Sequence, residues 1–168
     1  DSVALDDARR IDYDATTVVV MQGVPGRISV RDKTTFRELH TFSFPGATIP
    51  ESKSTVQIIG GKALIAAGDE GVQLLNISTG AIVGSIPRVT VKGLDPSVTV
   101  TNAVSASGKY VFMANGEAGI YVAEASEDLG QRTGDAPISF KVLGKIKYSK
   151  LQSVNHVVYD GNFLIAAT

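Results

Sequence analysis

Short apolar runs alternate along this chain with clusters of glycine, serine, threonine and aspartate, and the runs show no helical period. Two of these runs, 63–67 and 72–77, are separated by the turn Gly68-Asp-Glu-Gly71. Apolar runs of this length, bounded by turn residues, predict β-strands joined by tight hairpins. We therefore expect an all-β protein.

The glycine turn recurs at a nearly constant spacing. Gly23-Val-Pro-Gly26 begins 45 residues before Gly68, and Gly116-Glu-Ala-Gly119 begins 48 residues after it. The hairpin glycines repeat in the same order, at Gly61, Gly108 and Gly161. A period of this size, built from short strands and turns, is typical of β-propeller blades.

The repeat predicts one partial β-propeller domain over residues 1–168. Its blades are sheets of four antiparallel strands, expected at about 8–45, 54–88, 100–148 and, incompletely, 153–168. Propellers use about 4 to 8 blades, so about three and a half blades cannot close a ring. We expect the remaining strands to come from a longer protein or from a partner chain.

Two segments, 110–122 and 63–78, resemble the LVIVD-type propeller repeat. That repeat has a strand ending in Val-Ala, a glycine turn, an apolar strand and then Asp-Ile-Ser. Asn76-Ile-Ser78 keeps the ending with Asn in place of Asp, whereas Ala123-Glu-Ala-Ser126 departs from it. The resemblance implies a bacterial propeller, exported or surface-associated, in a family mostly without assigned activity.

Composition narrows the classes of partner. The net charge of −1 does not favour nucleic acid or an anionic membrane surface as a partner. The chain has no cysteine, which excludes disulfides and thiolate chemistry. No apolar stretch approaches the roughly 20 residues needed for a transmembrane helix. Residues 1–7 do not look like a signal peptide, and the opening on Asp favours a trimmed product whose signal has been removed. The resemblance implies an exported location, in the periplasm, at the cell surface or outside the cell.

The candidate ligand-binding residues lie on one face of the predicted blades. Turns between the second and third strands of a blade project on the same face as the connections between blades, which is where propellers usually bind. The candidates are Asp69, Glu70, Asn102, Glu117, Asn155 and His156. A phosphate cradle is not expected, because no helix or Lys-Ser/Thr follows the glycines, and a positive φ explains glycine better.

Other chemistry has little support in the sequence. His40 and His156 are the only histidines and lie far apart, so we expect no metal site and no cofactor. The acidic loop 124–137 lacks the Asp-x-Asp-x-Asp-Gly pattern and is interpreted as a variable surface loop. No Gly-x-Ser-x-Gly motif indicates a serine hydrolase, and no catalytic residue is assigned.

Three hypotheses follow. The first is a non-enzymatic scaffold or binding module that presents loops to a protein or a glycan. The second is a sugar-acting lyase or hydrolase with catalytic groups gathered on the top face from several blades. The third is a half-propeller that completes itself by dimerisation. We favour the first hypothesis.

Overall fold

The computed structural model describes residues 4–131, 133–148 and 152–168. Their strands form four antiparallel sheets in chain order. The first sheet comprises β1 (Ala8–Tyr13), β2 (Thr17–Gln22), β3 (Arg27–Asp32) and β4 (Glu38–Ser43). The second comprises β5 (Val56–Ile59), β6 (Lys62–Ala66), β7 (Val72–Asn76) and β8 (Ile82–Ile86). The third comprises β9 (Ala103–Ser107), β10 (Tyr110–Ala114), β11 (Ile120–Ala125) and β12 (Phe140–Ile146). The fourth comprises β13 (His156–Tyr159) and β14 (Leu164–Ala167). A short 3₁₀ turn, Pro96–Val98, precedes β9.

Each complete sheet is a meander in which consecutive strands pair. The first strands of successive sheets contact one another, β1 with β5, β5 with β9 and β9 with β13. These inner strands surround a channel, and the sheets radiate from it as blades. The expected all-β propeller architecture, with about three and a half blades, is confirmed.

The hydrophobic core lies between the blades. In the second blade Ile65 and Leu75 pack towards the first blade, whereas Leu64 and Leu74 pack towards the third. Alternate residues of a strand point to opposite faces, so a blade covered on both sides needs apolar residues at every position. This explains why the run 63–67 is continuously apolar and why the adjacent residues Leu74 and Leu75 are both apolar.

Side chains of the inner strands bind the backbone of the next blade. Gln57 accepts from Ala106 N–H (2.7 Å) and donates to Ala106 O (3.1 Å). Ser105 Oγ likewise accepts from Tyr159 N–H at 3.0 Å. These bonds hold neighbouring inner strands at a fixed height along the channel.

The glycine turns join consecutive blades. Gly68 exchanges backbone hydrogen bonds with Thr101 at 3.2 and 3.0 Å, and Gly116 exchanges them with Val154 at 3.2 and 2.9 Å. In both cases the partner lies just before the next inner strand. The turns therefore position the segments that enter the following blade.

The first glycine turn is different, and the sequence-based interpretation of its glycines was wrong. Gly68, Gly71, Gly116 and Gly119 have positive φ, but at the first turn the positive φ belongs to Val24, at 42°. A Cβ at Gly23 would overlap the Arg9 guanidinium, and one at Gly26 would overlap the carbonyl oxygen of Gly46. Here glycine is required by close packing.

The acidic loop is shorter and better anchored than the sequence indicated. Glu124 and Ala125 belong to β11, so the loop begins at Ser126. Leu129 is fully buried, and Asp135 Oδ1 accepts from Asn76 Nδ2 at 2.6 Å and from Thr79 Oγ1 at 3.0 Å. The loop thus packs against the second blade.

Candidate functional site

Two depressions contain sequence-predicted candidates. One is a recess of about 200 Å³ on the face that carries the glycine turns. It is lined by Ile49, Glu51, Ser52, Ser97, Val98, Val100, Asn102, Glu117, Ser153 and Asn155. The other is the channel between the inner strands, considered below with His156.

Three of the predicted candidates meet in the recess because the repeat places them there. Asn102 and Asn155 each precede an inner strand and donate their backbone N–H to the end of a second strand, Ala114 O (2.8 Å) and Ala167 O (2.9 Å). Glu117 occupies the glycine turn beside them, and its N–H donates to Val98 O at 2.9 Å. Their backbones are therefore held by the blade framework.

The carboxamides of the recess supply hydrogen-bonding groups in fixed places. Asn102 is 5% exposed, and its Oδ1 accepts from Lys53 N–H at 3.3 Å. No acceptor for its Nδ2 occurs in the described ranges. Asn155 Nδ2 donates to Ser153 O at 3.3 Å, and its Oδ1 accepts from Ser153 Oγ at 3.4 Å. The recess thus offers both donors and acceptors to a ligand.

Sequence reasoning missed the residues that complete the recess. Glu51 and Ser52 come from the connection between β4 and β5, and Ser97 comes from the 3₁₀ turn. All lie in connections between blades, where no spacing rule applies. Their position ahead of an inner strand is the one signal that could have indicated them.

Asp69 and Glu70 lie outside the recess. Asp69 accepts from Thr48 Oγ1 (2.6 Å) and Thr48 N–H (3.0 Å). Partial burial acts to raise the pKa of Asp69, but these hydrogen bonds, helped by Arg88, outweigh it and hold the pKa below 3.8. Asp69 fastens the β4–β5 connection to the glycine turn, whereas Glu70 is exposed. A binding role for either residue stays a prediction.

His156 lines the channel and not the recess. The channel cavity, about 180 Å³, also contains Arg10 and Asp12 of β1. Burial, together with the nearby positive charge of Arg10, lowers the pKa of His156 below 6.5. Asp12 is engaged elsewhere, because its Oδ2 accepts from Ile58 N–H at 2.6 Å.

The described part of the chain contains no group of three or more His, Cys, Asp or Glu side chains placed to hold a metal ion. Glu51 and Glu117 both line the recess, but the histidine lies in the other cavity. The recess thus contains two carboxylates and no histidine among its described lining residues. Across the described part of the chain, no helix is long and apolar enough to cross a membrane.

Lowering the pH from about 7 to about 5 is expected to reduce the free energy of unfolding through His156. Its pKa is below 6.5 in the folded state, so the unfolded chain takes up the proton first. The stability that the neutral imidazole of His156 contributes is fully present above pH 6.5, and it is lost as the pH falls through the pKa of His156 in the folded state. Urea denaturation across this range should show the decline, and His156→Gln should flatten it.

His40→Gln is the matched control for that measurement, since His40 stacks on Phe42 in the first blade, away from the channel. Hydrogen bonds hold the pKa values of Asp32, Asp95 and Asp160 below 3.8, so their contributions are lost at lower pH. An unchanged slope in His156→Gln would contradict the assignment.

Comparison with known proteins defines the fold but not a family or a function. No protein-family model matches the chain, and no curated protein matches it. The crystal structure of the computationally designed Ika4 protein is similar over 98% of this chain and 86% of Ika4, with a TM-score of 0.66 and 18% identity. The β-propeller domain of Cps50 (Swd1) from Myceliophteria thermophila is similar over 95% of this chain and 49% of that domain, with a TM-score of 0.56 and 15% identity. This chain has a β-propeller fold.

BamB from Moraxella catarrhalis has a TM-score of 0.59 and 13% identity, over 93% of this chain and 38% of BamB. The chain thus spans less than half the length of BamB and of the Swd1 domain. Identities this low show the fold alone. Because no family model matches, the resemblance to the LVIVD-type repeat stays a prediction.

Proposed function

We propose that this protein is a non-enzymatic binding module whose recess takes a polar group of a protein or glycan ligand. The observation that carries the proposal is the convergence of Asn102, Glu117 and Asn155, from two successive blades, in one recess. The seryl hydroxyls of Ser52, Ser97 and Ser153 line the same cavity. Propellers host unrelated functions, so the site must carry the argument and not the fold.

The chemistry of the recess matches a ligand with both hydroxyl or amide donors and oxygen acceptors. Asn102 Nδ2, which has no acceptor among the described residues, provides a donor, and the carboxylate of Glu117 provides an acceptor. Val98 and Val100 add apolar surface, which stacks against the carbon skeleton of a sugar or side chain. This mixture of apolar walls with a few placed polar groups is usual in binding pockets.

The size of the recess limits what enters it. Pockets for drug-sized ligands measure about 300–1,000 Å³, and this recess measures about 200 Å³. One sugar ring or one partner side chain fits that volume. The rest of a larger ligand would lie over the neighbouring loops.

The serine-hydrolase form of the enzyme alternative has no matching arrangement among the described residues of the recess, whereas Glu51 and Glu117 leave a carboxylate pair available to a sugar-acting enzyme. Ser97 Oγ donates to Asp95 Oδ1 at 2.7 Å, but this carboxylate serves as the cap of the 3₁₀ turn. His156 lies in the channel and not in the recess, so it does not join Ser97 and Asp95 in a serine, histidine and carboxylate set.

We also propose that the protein is exported. This part of the proposal depends on the resemblance to the LVIVD-type repeat alone.

Wild-type protein is expected to bind a subset of an oligosaccharide array or of a displayed random-peptide library. The double variant Asn102→Ala/Glu117→Ala should lose about tenfold or more in affinity for the selected ligand, because each change removes a hydrogen bond worth about 1 kcal/mol or more. Affinities would be measured by isothermal titration calorimetry. Binding to the oligosaccharide array would indicate a glycan ligand, and binding to the peptide library would indicate a protein ligand.

Glu70→Ala is the matched control, because Glu70 lies in the equivalent glycine turn of the second blade, exposed and outside the recess. It should bind like wild type. Equal losses in the control and the double variant would contradict the recess as the site. No binding in either screen would leave the binding-module proposal without support.

A further inference from the structure

The channel cavity is lined by two cationic or cation-forming side chains that have no partner among the described residues. Arg10 of β1 and His156 of β13 line the same cavity of about 180 Å³. Neither the guanidinium nor the imidazole forms a hydrogen bond or an ion pair with any residue of the described ranges. The Arg10 charge disfavours protonation of His156, so the two groups repel when both are charged.

The fold places these groups at the same level of the channel. Arg10 pairs with Met21, at the end of the second strand of the first blade, and His156 pairs with Ala167, at the end of the second strand of the fourth. Ala103 has the corresponding place in the third blade, paired with Ala114. Arg10 and His156 therefore face the channel from different blades at equivalent positions.

Other polar side chains of the cavity accept hydrogen bonds from the backbone of the neighbouring inner strand. Asp12 Oδ2 is bound to Ile58 N–H at 2.6 Å, and Thr55 Oγ1 accepts from Val104 N–H at 3.0 Å. Gln57 and Ser105 hold the next inner strand in the same way. Arg10 and His156 therefore supply the cationic or cation-forming donors of the cavity, and the hydroxyls of Thr55 and Ser105 can add neutral O–H donors.

We propose that the channel is a binding site for a small oxyanion of the sulfate, phosphate or carboxylate type, held between Arg10 and His156. Arg10 and His156 form no ion pair with the Asp12 carboxylate of the same cavity, and they repel each other when both are charged. An anion between them converts that repulsion into two attractions, which must outweigh its repulsion from Asp12. The guanidinium fork suits the oxygen geometry of such anions. The cavity volume of about 180 Å³ accommodates an ion of this size.

Anion binding should be coupled to the protonation of His156. The charged groups that face the imidazole are Arg10 and Asp12 of β1, and Tyr159 lies on its own strand. The cavity-lining residues of β5 and β9 are neutral. An anion favours the imidazolium, so it should bind more tightly as the pH falls through the pKa of His156.

The wild-type protein can be titrated with sodium sulfate while chloride holds the ionic strength constant. The imidazole resonances of His156 and His40 are then followed by NMR across the pH range. Saturating sulfate should raise the pKa of His156 by about one unit, equivalent to about tenfold tighter binding to the protonated form. His40, in the first blade, should not shift. Equal shifts of both histidines, or no shift of His156, would overturn the proposal.

Arg10→Gln should weaken sulfate binding about tenfold, and Arg37→Gln, which removes an exposed arginine outside the channel, should leave it unchanged. Equal affinity of Arg10→Gln and wild type would overturn the role of Arg10. If Arg10→Gln does not fold, the wild-type titration decides alone. A parallel titration with acetate shows whether the site prefers a tetrahedral oxyanion or a planar carboxylate.

Discussion

Gly116→Ala is expected to lower the free energy of unfolding by about 4 kcal/mol, among the largest effects of any single substitution. Gly116 has φ +53°, and a Cβ there would overlap the carbonyl oxygen of Val98. Because the obstacle is backbone, the turn would have to move. Its two hydrogen bonds to Val154, which position the fourth blade, would then break. Urea denaturation followed by circular dichroism measures the loss.

Gly61→Ala separates the loss of stability caused by the left-handed backbone conformation from the loss caused by steric overlap. Gly61 also has positive φ, +71°, but a Cβ there would meet nothing within 4 Å. The left-handed conformation alone should cost about 1 kcal/mol. If Gly116→Ala costs no more than Gly61→Ala, close packing of the turn against the next blade does not contribute.

Arg9→Ala should destabilise the protein by about 3 kcal/mol. The Arg9 side chain is 5% exposed, and its guanidinium donates to Ile49 O (3.2 Å), Ser52 O (3.1 Å) and Ser54 Oγ (3.2 Å). It also pairs with Asp7 at 2.7 Å. Removing it leaves these acceptors in a partly buried place without a donor. The change in unfolding free energy would come from the same denaturation experiment.

Arg37→Ala is the comparison for Arg9, because Arg37 is exposed and should change stability by less than about 0.5 kcal/mol. Arg9→Lys should fall between the two, since an ammonium keeps the charge but cannot serve all the acceptors of the planar fork. A cost for Arg9→Ala equal to that of Arg37→Ala would contradict the proposed clamp.

Arg9 also shows where sequence reasoning reached its limit. In the second and third blades a glycine turn bridges directly to the next blade, through Gly68 and Gly116. In the first blade the Arg9 side chain ties the blade to the segment before β5. The first glycine turn also donates a backbone hydrogen bond to this segment, from Val24 N–H to Ala47 O at 3.1 Å, and Arg9 adds to it. Nothing in the local pattern around Arg9 indicates these added side-chain bonds, because its partners lie about 40 residues away.

The candidate site was predicted in part. Asn102, Glu117 and Asn155 could be placed on one face because they occupy repeated positions, and the structure brings them into one recess. Asp69 occupies a related turn but is bound to Thr48. Whether a turn carboxylate is free or engaged depends on the neighbouring connection, which does not follow the repeat.

The sequence by itself determined the strands, the turns and the blade order. Those features follow from local rules: apolar runs at strand length, glycine at turns, and a constant period. The Gly-x-x-Gly turns were thus found from spacing alone. Only the tertiary structure decided why the glycines are needed, with positive φ at Gly116 and close packing against the Gly46 carbonyl oxygen at Gly26. It also decided that Arg10 and His156 share the channel. Such proximity depends on how whole blades pack around the channel, and no short stretch of sequence encodes it.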